Sequence, residues 1–211
     1  MNLEKYQHFN IEKIIQIFAY IQKKAETYSK LELIKYLFFA DRYNLRRNLS
    51  LISLDNYYAM KLGPVASTSL NVLKKEMDYL DNFPETDLKQ LDKILTKGIA
   101  FIEISENEID LLSEKEIKSI ELAINTFKGT PFIEISHEYP EWKKFEELFL
   151  EHLTSREPID MIDFFSNPDI DNSPLLKKYF NGKDPMYEDE EYLKAAKEFC
   201  CHKPEMANVP F

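Results

Sequence analysis

The segment from Asp41 to Val65 reads DRYNLRRNLSLISLDNYYAMKLGPV and joins three kinds of local structure. It begins as the end of an amphipathic helix, continues as an aromatic extended run and ends in a Lys-Leu-Gly-Pro turn. Pro64 has a fixed φ and biases Gly63 away from the helical region, so we expect a rigid turn there. Because proline also suits the first turn of a helix, the next helix is predicted to start at Pro64.

Two amphipathic helices are predicted before this turn. In the first, apolar residues repeat at helical spacing: Ile11, Ile14, Ile15, Phe18 and Ile21. The second begins with a capping-box pattern, Ser29 with Glu32, and runs to about Arg47. These two helices are predicted to be the first elements of the fold.

Downstream of the turn the pattern is again mainly helical. The runs 99–104 and 109–111 flank Glu106-Asn107 and predict a small β-hairpin. Ser113 with Glu116 predicts a capped helix to about residue 128. Further short helices are expected near 131–136, 140–149, 159–165, 175–180 and 188–199. The predicted fold is mainly α, a compact multi-helix domain with a small β-hairpin or short strands.

Composition is typical of one packed globular domain. The chain has 211 residues, of which 44% are hydrophobic and 13% aromatic, and it contains only four glycines. That length allows one well-buried domain with a C-terminal elaboration. Long flexible linkers are not expected.

Charge is unevenly distributed along the chain. The formal net charge is −10, yet residues 1–50 contain 9 Lys+Arg against 5 Asp+Glu, while residues 101–211 contain 12 against 25. An acidic chain repels the phosphate backbone of nucleic acids, so a nucleic-acid partner would need a concentrated basic patch. The charge therefore favours a protein partner.

The sequence also indicates a compartment. It shows no secretory leader and no apolar run near the ~20 residues that span a bilayer. Its two cysteines, Cys200 and Cys201, are neighbours, which suits free thiols in a reducing compartment. We expect a soluble, cytoplasmic protein without a membrane partner.

Enzyme and metal motifs are poorly matched. There is no Gly-x-Ser-x-Gly elbow and no phosphate-binding glycine loop, and the sequence around His137 lacks the second histidine of a zinc-protease helix. Cys200, Cys201 and His202 are too close in sequence to coordinate one metal ion together. We expect no catalytic, metal or cofactor site.

The residues that carry a family resemblance lie in two separate segments. They are Asp41-Arg42-Tyr43 at a helix end, Tyr58-Ala59-Met60-Lys61 leading into Gly63-Pro64-Val65, Leu112-Ser113 opening a helix, Ser136-His137, and Trp142. In order and spacing they resemble the Panacea domain, also called the SocA-like domain, of bacterial and phage antitoxins. The resemblance covers about 11–150, and we assign an antitoxin domain to 1–150. Residues 151–211 have no place in the family pattern, and we expect them to form a helical extension packed on the same domain.

This resemblance implies a function. Such proteins bind and neutralise a toxin encoded next to them, without a catalytic act. In some relatives the antitoxin resembles an adaptor that delivers the toxin to an ATP-dependent protease. In this chain the acidic C-terminal region could be the part used in that delivery. Many members also carry a DNA-binding segment, but no basic helix-turn-helix is appended to this chain.

The candidate partner-binding surface is the end of the second helix and the segment after it. Its residues are Arg42, Arg46, Tyr57, Tyr58 and Lys61, supported by motif residues with a structural role, Asp41, Tyr43, Ala59, Gly63, Pro64, His137 and Trp142. Lys35, Arg42 and Arg46 share one helix face, which is either solvated or binds an acidic toxin surface or a phosphate. Asp41, Arg42 and Tyr43 could instead tie the helix end to the loop.

Two points stay open at this level. Tyr57 and Tyr58 must point to opposite sides of an extended segment, so one is core and the other is available to a partner. The predicted hairpin beside the helices of 113–150 could also form a winged-helix-like DNA-binding unit. Charge opposes that alternative, because residues 113–147 contain 5 Lys+Arg and 8 Asp+Glu.

Overall fold

The computed structural model describes residues 9–97, 99–181 and 186–202. These ranges contain ten α-helices and five β-strands. In chain order they are α1 (Ile11–Ala25), α2 (Lys30–Asn48), β1 (Tyr57–Met60), β2 (Gly63–Ala66), α3 (Ser67–Lys74), α4 (Glu85–Leu88), β3 (Ile94–Lys97), β4 (Ile99–Ile102), α5 (Glu114–Phe127), α6 (Phe132–Ser136), α7 (Pro140–Lys143), α8 (Glu146–Leu150), β5 (Arg156–Pro158), α9 (Pro174–Phe180) and α10 (Glu190–His202). The mainly α fold with a small β component is as predicted.

Local capping signals define the long helices. The side chain of Ser29 accepts a hydrogen bond from the Glu32 amide at the start of α2. Ser113 and Glu116 form a reciprocal capping box at the start of α5. Both helices therefore begin where the sequence predicts, because a capping side chain replaces the partners that the first amides lack.

Helix α2 is the centre of the core. Buried residues occupy nearly all of its faces, as expected for a helix surrounded by protein. Its most extensive helix contact is with α5, where the rings of Phe39 and Phe127 stack at 3.7 Å between centroids. None of the helices in the described ranges is both long and apolar enough to cross a membrane.

A three-stranded antiparallel sheet lies against this helix. Its order is β2-β1-β5, with Tyr57 opposite Ala66 and Tyr58 opposite Pro158. Strand β5 and the buried Phe164 come from the region after residue 150, so that region contributes to the same core. The division of the chain at residue 150 stays a prediction, and residues 1–8 and 203–211 lie outside the described ranges.

The predicted position of the second hairpin is wrong. The strands are β3 and β4, in which Leu95 is opposite Phe101, and residues 106–108 form a 3-10 turn. The amides of Asp110 and Leu111 donate to Gln16 Oε1 on α1 at 3.0 and 2.9 Å. The predicted second strand is therefore bonded to a helix side chain and not to a strand.

The helix boundaries near Pro64 and Pro140 also differ from the prediction. Pro64 lies in β2, where it is opposite Ala59 of β1. Helix α3 therefore begins only at Ser67. The helix predicted over 140–149 is divided into α7 and α8. The position of Pro64 shows that strand pairing overrides a local helical preference.

Candidate functional site at the hairpin of β1 and β2

Asp41 anchors the loop that leads into the hairpin. Its fully buried carboxylate accepts from the Ile52 amide at 2.5 Å, the Ser53 amide at 3.1 Å and the Tyr57 hydroxyl at 2.8 Å, and also from the Ser53 hydroxyl. Burial raises the pKa of Asp41 to about 6, while these four donors oppose the shift. The predicted tie between the helix end and the loop is confirmed for Asp41.

Asp55 joins the start of the hairpin to helix α3, which follows β2. It is buried, and it accepts from the amides of Thr68 at 3.1 Å and Ser69 at 2.6 Å, in the first turn of α3. Burial raises the pKa of Asp55, and the hydrogen bonds to Ser69 and Thr68 lower it. Sequence reasoning missed this residue, because its partners follow 13 and 14 positions later and not at capping-box spacing.

Gly63 allows the turn of the hairpin to pack tightly. Its φ is +96°, and a Cβ there would collide with Lys35 Nζ and Ser136 Oγ and lie 3.1 Å from His137 Cδ2. Lys35 Nζ donates to the Pro64 carbonyl at 2.9 Å, and burial holds the pKa of Lys35 well below its usual range. Gly63 and Pro64 thus have the structural role that the sequence suggests.

An aromatic stack clamps the hairpin from the other side. Trp142 Nε1 donates to the Met60 carbonyl at 2.8 Å, and the indole stacks on His137 at 3.9 Å and on Phe149 at 5.6 Å between centroids. Burial, and next the charge of Lys35, lower the pKa of His137 to about 4, so the imidazole is neutral at physiological pH. His137 also contacts the backbone of Leu62.

Arg42 and Arg46 are both 0% exposed, so the face they share is neither solvated nor open to a toxin surface or a phosphate in this conformation. Arg42 Nε donates to Glu141 Oε1 at 2.8 Å and Nη2 to the Ser166 carbonyl at 2.5 Å, and Arg46 donates to Asn167 Oδ1. The segment around Ser166 covers this face of α2. In this conformation neither arginine is within reach of a docking partner.

The two tyrosines of β1 point in opposite directions, as predicted. Tyr57 is 1% exposed and packs against Phe38 and Phe164, so it is the core residue. Tyr58 is half-buried beneath the guanidinium of Arg156, 3.5 Å from its ring centroid. Only Tyr58 of this pair is near solvent.

The remaining motif residues have structural positions. Ala59 is fully buried in the central strand of the sheet, and Tyr43 is partly buried against the core. The guanidinium of Arg47 lies 5.9 Å from the ring of Tyr43. Of the five candidate partner-binding residues, only Tyr58 and Lys61 face outward.

An exposed surface surrounds the tip of the hairpin. Lys61 is exposed, Leu62 beside it is 52% exposed, and two leucines at and after the end of α8, Leu150 and Leu153, are 72% and 67% exposed. We call this the tip surface and define it as Tyr58, Lys61, Leu62, Leu150, Leu153 and Arg156. The sequence did not indicate the leucines, since apolar residues at the end of a short helix are read as core.

Comparison with known proteins gives one match. The sequence model of a family described as antitoxin SocA-like, Panacea domain, matches residues 33–143. No curated protein and no solved structure matches the chain. The matched range contains α2, the hairpin of β1 and β2, and the clamp residue Trp142.

Proposed function

This chain belongs to the family of SocA-like antitoxins with a Panacea domain, and from that membership we propose that it neutralises a cognate toxin by direct protein–protein binding. The observation that carries the proposal is the family match. It spans the hairpin together with Asp41 and Trp142, the residues that hold the hairpin in place. The toxin is proposed to be the product of a neighbouring gene.

The polar geometry supports a binding role without a catalytic step. The ionisable motif side chains nearest the hairpin are bonded inside the protein: Asp41 to the loop, Lys35 to the Pro64 carbonyl, and Arg42 to Glu141. Groups held in this way stabilise the fold and are not presented to a substrate. We therefore propose stoichiometric inhibition in the cytoplasm, through an interface of ordinary size, roughly 1,200–2,000 Å².

Growth of cells that express the neighbouring reading frame tests this function. Expression of that gene alone should arrest growth, and co-expression of this protein should restore it. The same pair of cultures in a host without its ATP-dependent proteases separates the two antitoxin mechanisms. Rescue that persists in that host supports inhibition by binding, whereas rescue that is lost there supports the proteolytic adaptor.

The DNA-binding alternative stays a prediction. The predicted wing, in which 99–104 pair with 109–111, does not form, because β4 pairs with β3 and packs against α1. A gel shift with the upstream operon DNA at low salt tests the alternative, because phosphate contacts are strongest at low ionic strength. A shifted band would support a regulatory role of the isolated chain.

A further inference from the structure

The leucines of the tip surface come from two distant segments that the fold holds together. Leu62 is at the turn between β1 and β2, while Leu150 and Leu153 are at and after the end of α8. Trp142 joins the two segments, because it bonds the Met60 carbonyl and stacks on Phe149, the residue before Leu150. Exposed apolar side chains on two segments joined in this way make this region a candidate contact site.

The frame beneath this surface is rigid. Gly63 is closely packed against Lys35 and Ser136, and the indole of Trp142 lies between two rings. Arg156 is held over the ring of Tyr58 and donates to Ser67 Oγ at 2.9 Å. A partner that docks here would therefore meet a preformed backbone, which reduces the entropy lost on binding.

Strand addition is excluded at the nearest sheet edge. In β5, the Arg156 amide donates to Thr154 Oγ1 at 3.2 Å, and the Thr154 hydroxyl donates to the Arg156 carbonyl at 3.1 Å. Pro158 has no amide hydrogen. Blocked edges of this kind prevent pairing with another strand, so a partner does not dock on β5 by strand addition.

Two cations rim the tip surface without an acidic partner. Neither Lys61 nor Arg156 makes an ion pair with any residue that the structure describes, whereas Lys143 and Lys144 nearby are paired with Glu146 and Asp163. The chain as a whole has a net charge of −10. The charges of Lys61 and Arg156 are therefore not neutralised by an acid of the described residues, which leaves them to pair with carboxylates of a partner.

We propose that the cognate toxin docks on the tip surface and presents an apolar cluster flanked by carboxylates. The apolar cluster covers Leu62, Leu150 and Leu153, and the carboxylates pair with Lys61 and Arg156. This assignment rests on the proposed antitoxin function. It names the part of the protein that performs that function and the chemistry of the toxin surface.

A second apolar face provides a matched control. On the outer side of β3–β4, Leu95, Ile99 and Phe101 are 47%, 52% and 41% exposed, and Tyr28 stacks on Phe101 at 5.9 Å. It also consists of three exposed apolar side chains, but the lysines on the adjoining helix α1 are paired with acids, such as Lys23 with Glu106. The cations of α1 beside this face are therefore paired, unlike Lys61 and Arg156 of the tip surface.

Binding of the purified toxin to variants of this protein tests the assignment. The tip variants are Leu150→Ser with Leu153→Ser, and Lys61→Glu alone, while the control is Leu95→Ser with Phe101→Ser. Each is first compared with the wild type by circular dichroism and thermal unfolding. We expect the leucine pair to weaken binding at least tenfold, Lys61→Glu about fivefold with a smaller salt dependence, and the control less than twofold.

The outcomes separate the surface from the function. Wild-type binding with unaffected tip variants overturns the surface assignment alone, and loss of binding in the control would move the site to the β3–β4 face. Failure of the wild type to bind overturns the proposed function and the docking surface with it. Retained binding by the control with weakened binding by both tip variants supports the assignment.

Discussion

The side chains of Arg42 and Glu141 form an ion pair that is closed to solvent, with 2.8 Å between Arg42 Nε and Glu141 Oε1. Burial raises the pKa of Glu141, and the positive charge of Arg42 opposes that shift. The two residues are 99 positions apart, so their contact joins α2 to α7 across the core. The guanidinium also lies 4.6 Å from the ring centroid of Tyr139. Each charge is therefore stabilised in part by the other, and the positive charge of Arg46 also acts on Glu141.

Removal of one partner should be more harmful than removal of both. We expect Arg42→Met to lower the free energy of unfolding by about 3–5 kcal/mol, because it leaves the Glu141 carboxylate buried without its cation. The double variant with Glu141→Leu should lose less than the sum of the two single variants. Urea unfolding of the four proteins measures the coupling. Additive effects would contradict a buried pair.

Substitution of Gly63 should test the close packing beneath the hairpin turn. Gly63→Ala places a Cβ against Lys35 and Ser136 at a positive φ, so we expect a loss of about 3 kcal/mol in unfolding free energy. Gly129→Ala is the matched control, since Gly129 has a φ of +80° but no atom within 4 Å of the added Cβ. It should lose only about 1 kcal/mol. Equal losses in both variants would show that crowding is unimportant.

The hydroxyl of Tyr57 should contribute to stability, and that of Tyr58 should not. Tyr57→Phe removes a donor from the buried Asp41 carboxylate, and we expect a loss of about 1–2 kcal/mol in unfolding free energy. The Tyr58 hydroxyl makes no hydrogen bond with the residues that the structure describes, so Tyr58→Phe should change stability by less than about 0.5 kcal/mol. Chemical denaturation at pH 7 measures both changes. A reversed order would disprove the predicted role of Asp41.

Acid should destabilise the protein through His137. The pKa of His137 is lowered to about 4 in the folded protein, from an ordinary value of 6.5. Between these values the unfolded chain binds more protons, so this contribution to stability is complete above pH 6.5 and is lost as the pH falls to 4. Allowing for its partial exposure, we expect about 1–2 kcal/mol.

The variant His137→Phe isolates this effect. It keeps an aromatic ring on Trp142 and removes the titrating group, so the buried acids Asp41, Asp55 and Glu141 affect both proteins alike. The unfolding free energy of the wild type should fall more steeply between pH 6.5 and 4 than that of the variant. Parallel curves would mean that His137 does not titrate with a lowered pKa.

Short-range signals made much of the fold predictable. The capping patterns at Ser29 and Ser113 gave the starts of α2 and α5, because each pattern and its partners lie within three residues. Alternation along an extended strand required that Tyr57 and Tyr58 differ in exposure. Trp142, for which a structural role is predicted, is 5% exposed.

Long-range contacts account for what the sequence did not reveal. Arg42 and Arg46 were expected in solvent, but their partners Ser166 and Asn167 lie 124 and 121 positions away. Helical periodicity gives the face that two residues share, and it contains no information on which segment covers that face. Arg42 and Arg46 therefore change from candidate contact residues to buried ones. The exposure of the leucines of the tip surface was likewise not evident from the sequence, because it depends on which segments cover them.

Isolation of this protein from cells that co-express the neighbouring reading frame tests direct neutralisation most directly. The cells should be taken from a culture whose growth this protein has restored, and the tagged protein purified at physiological salt. Direct neutralisation predicts that the toxic product co-purifies in a fixed molar ratio and that the complex persists through size-exclusion chromatography. Restored growth with no toxic product bound to this protein would contradict it.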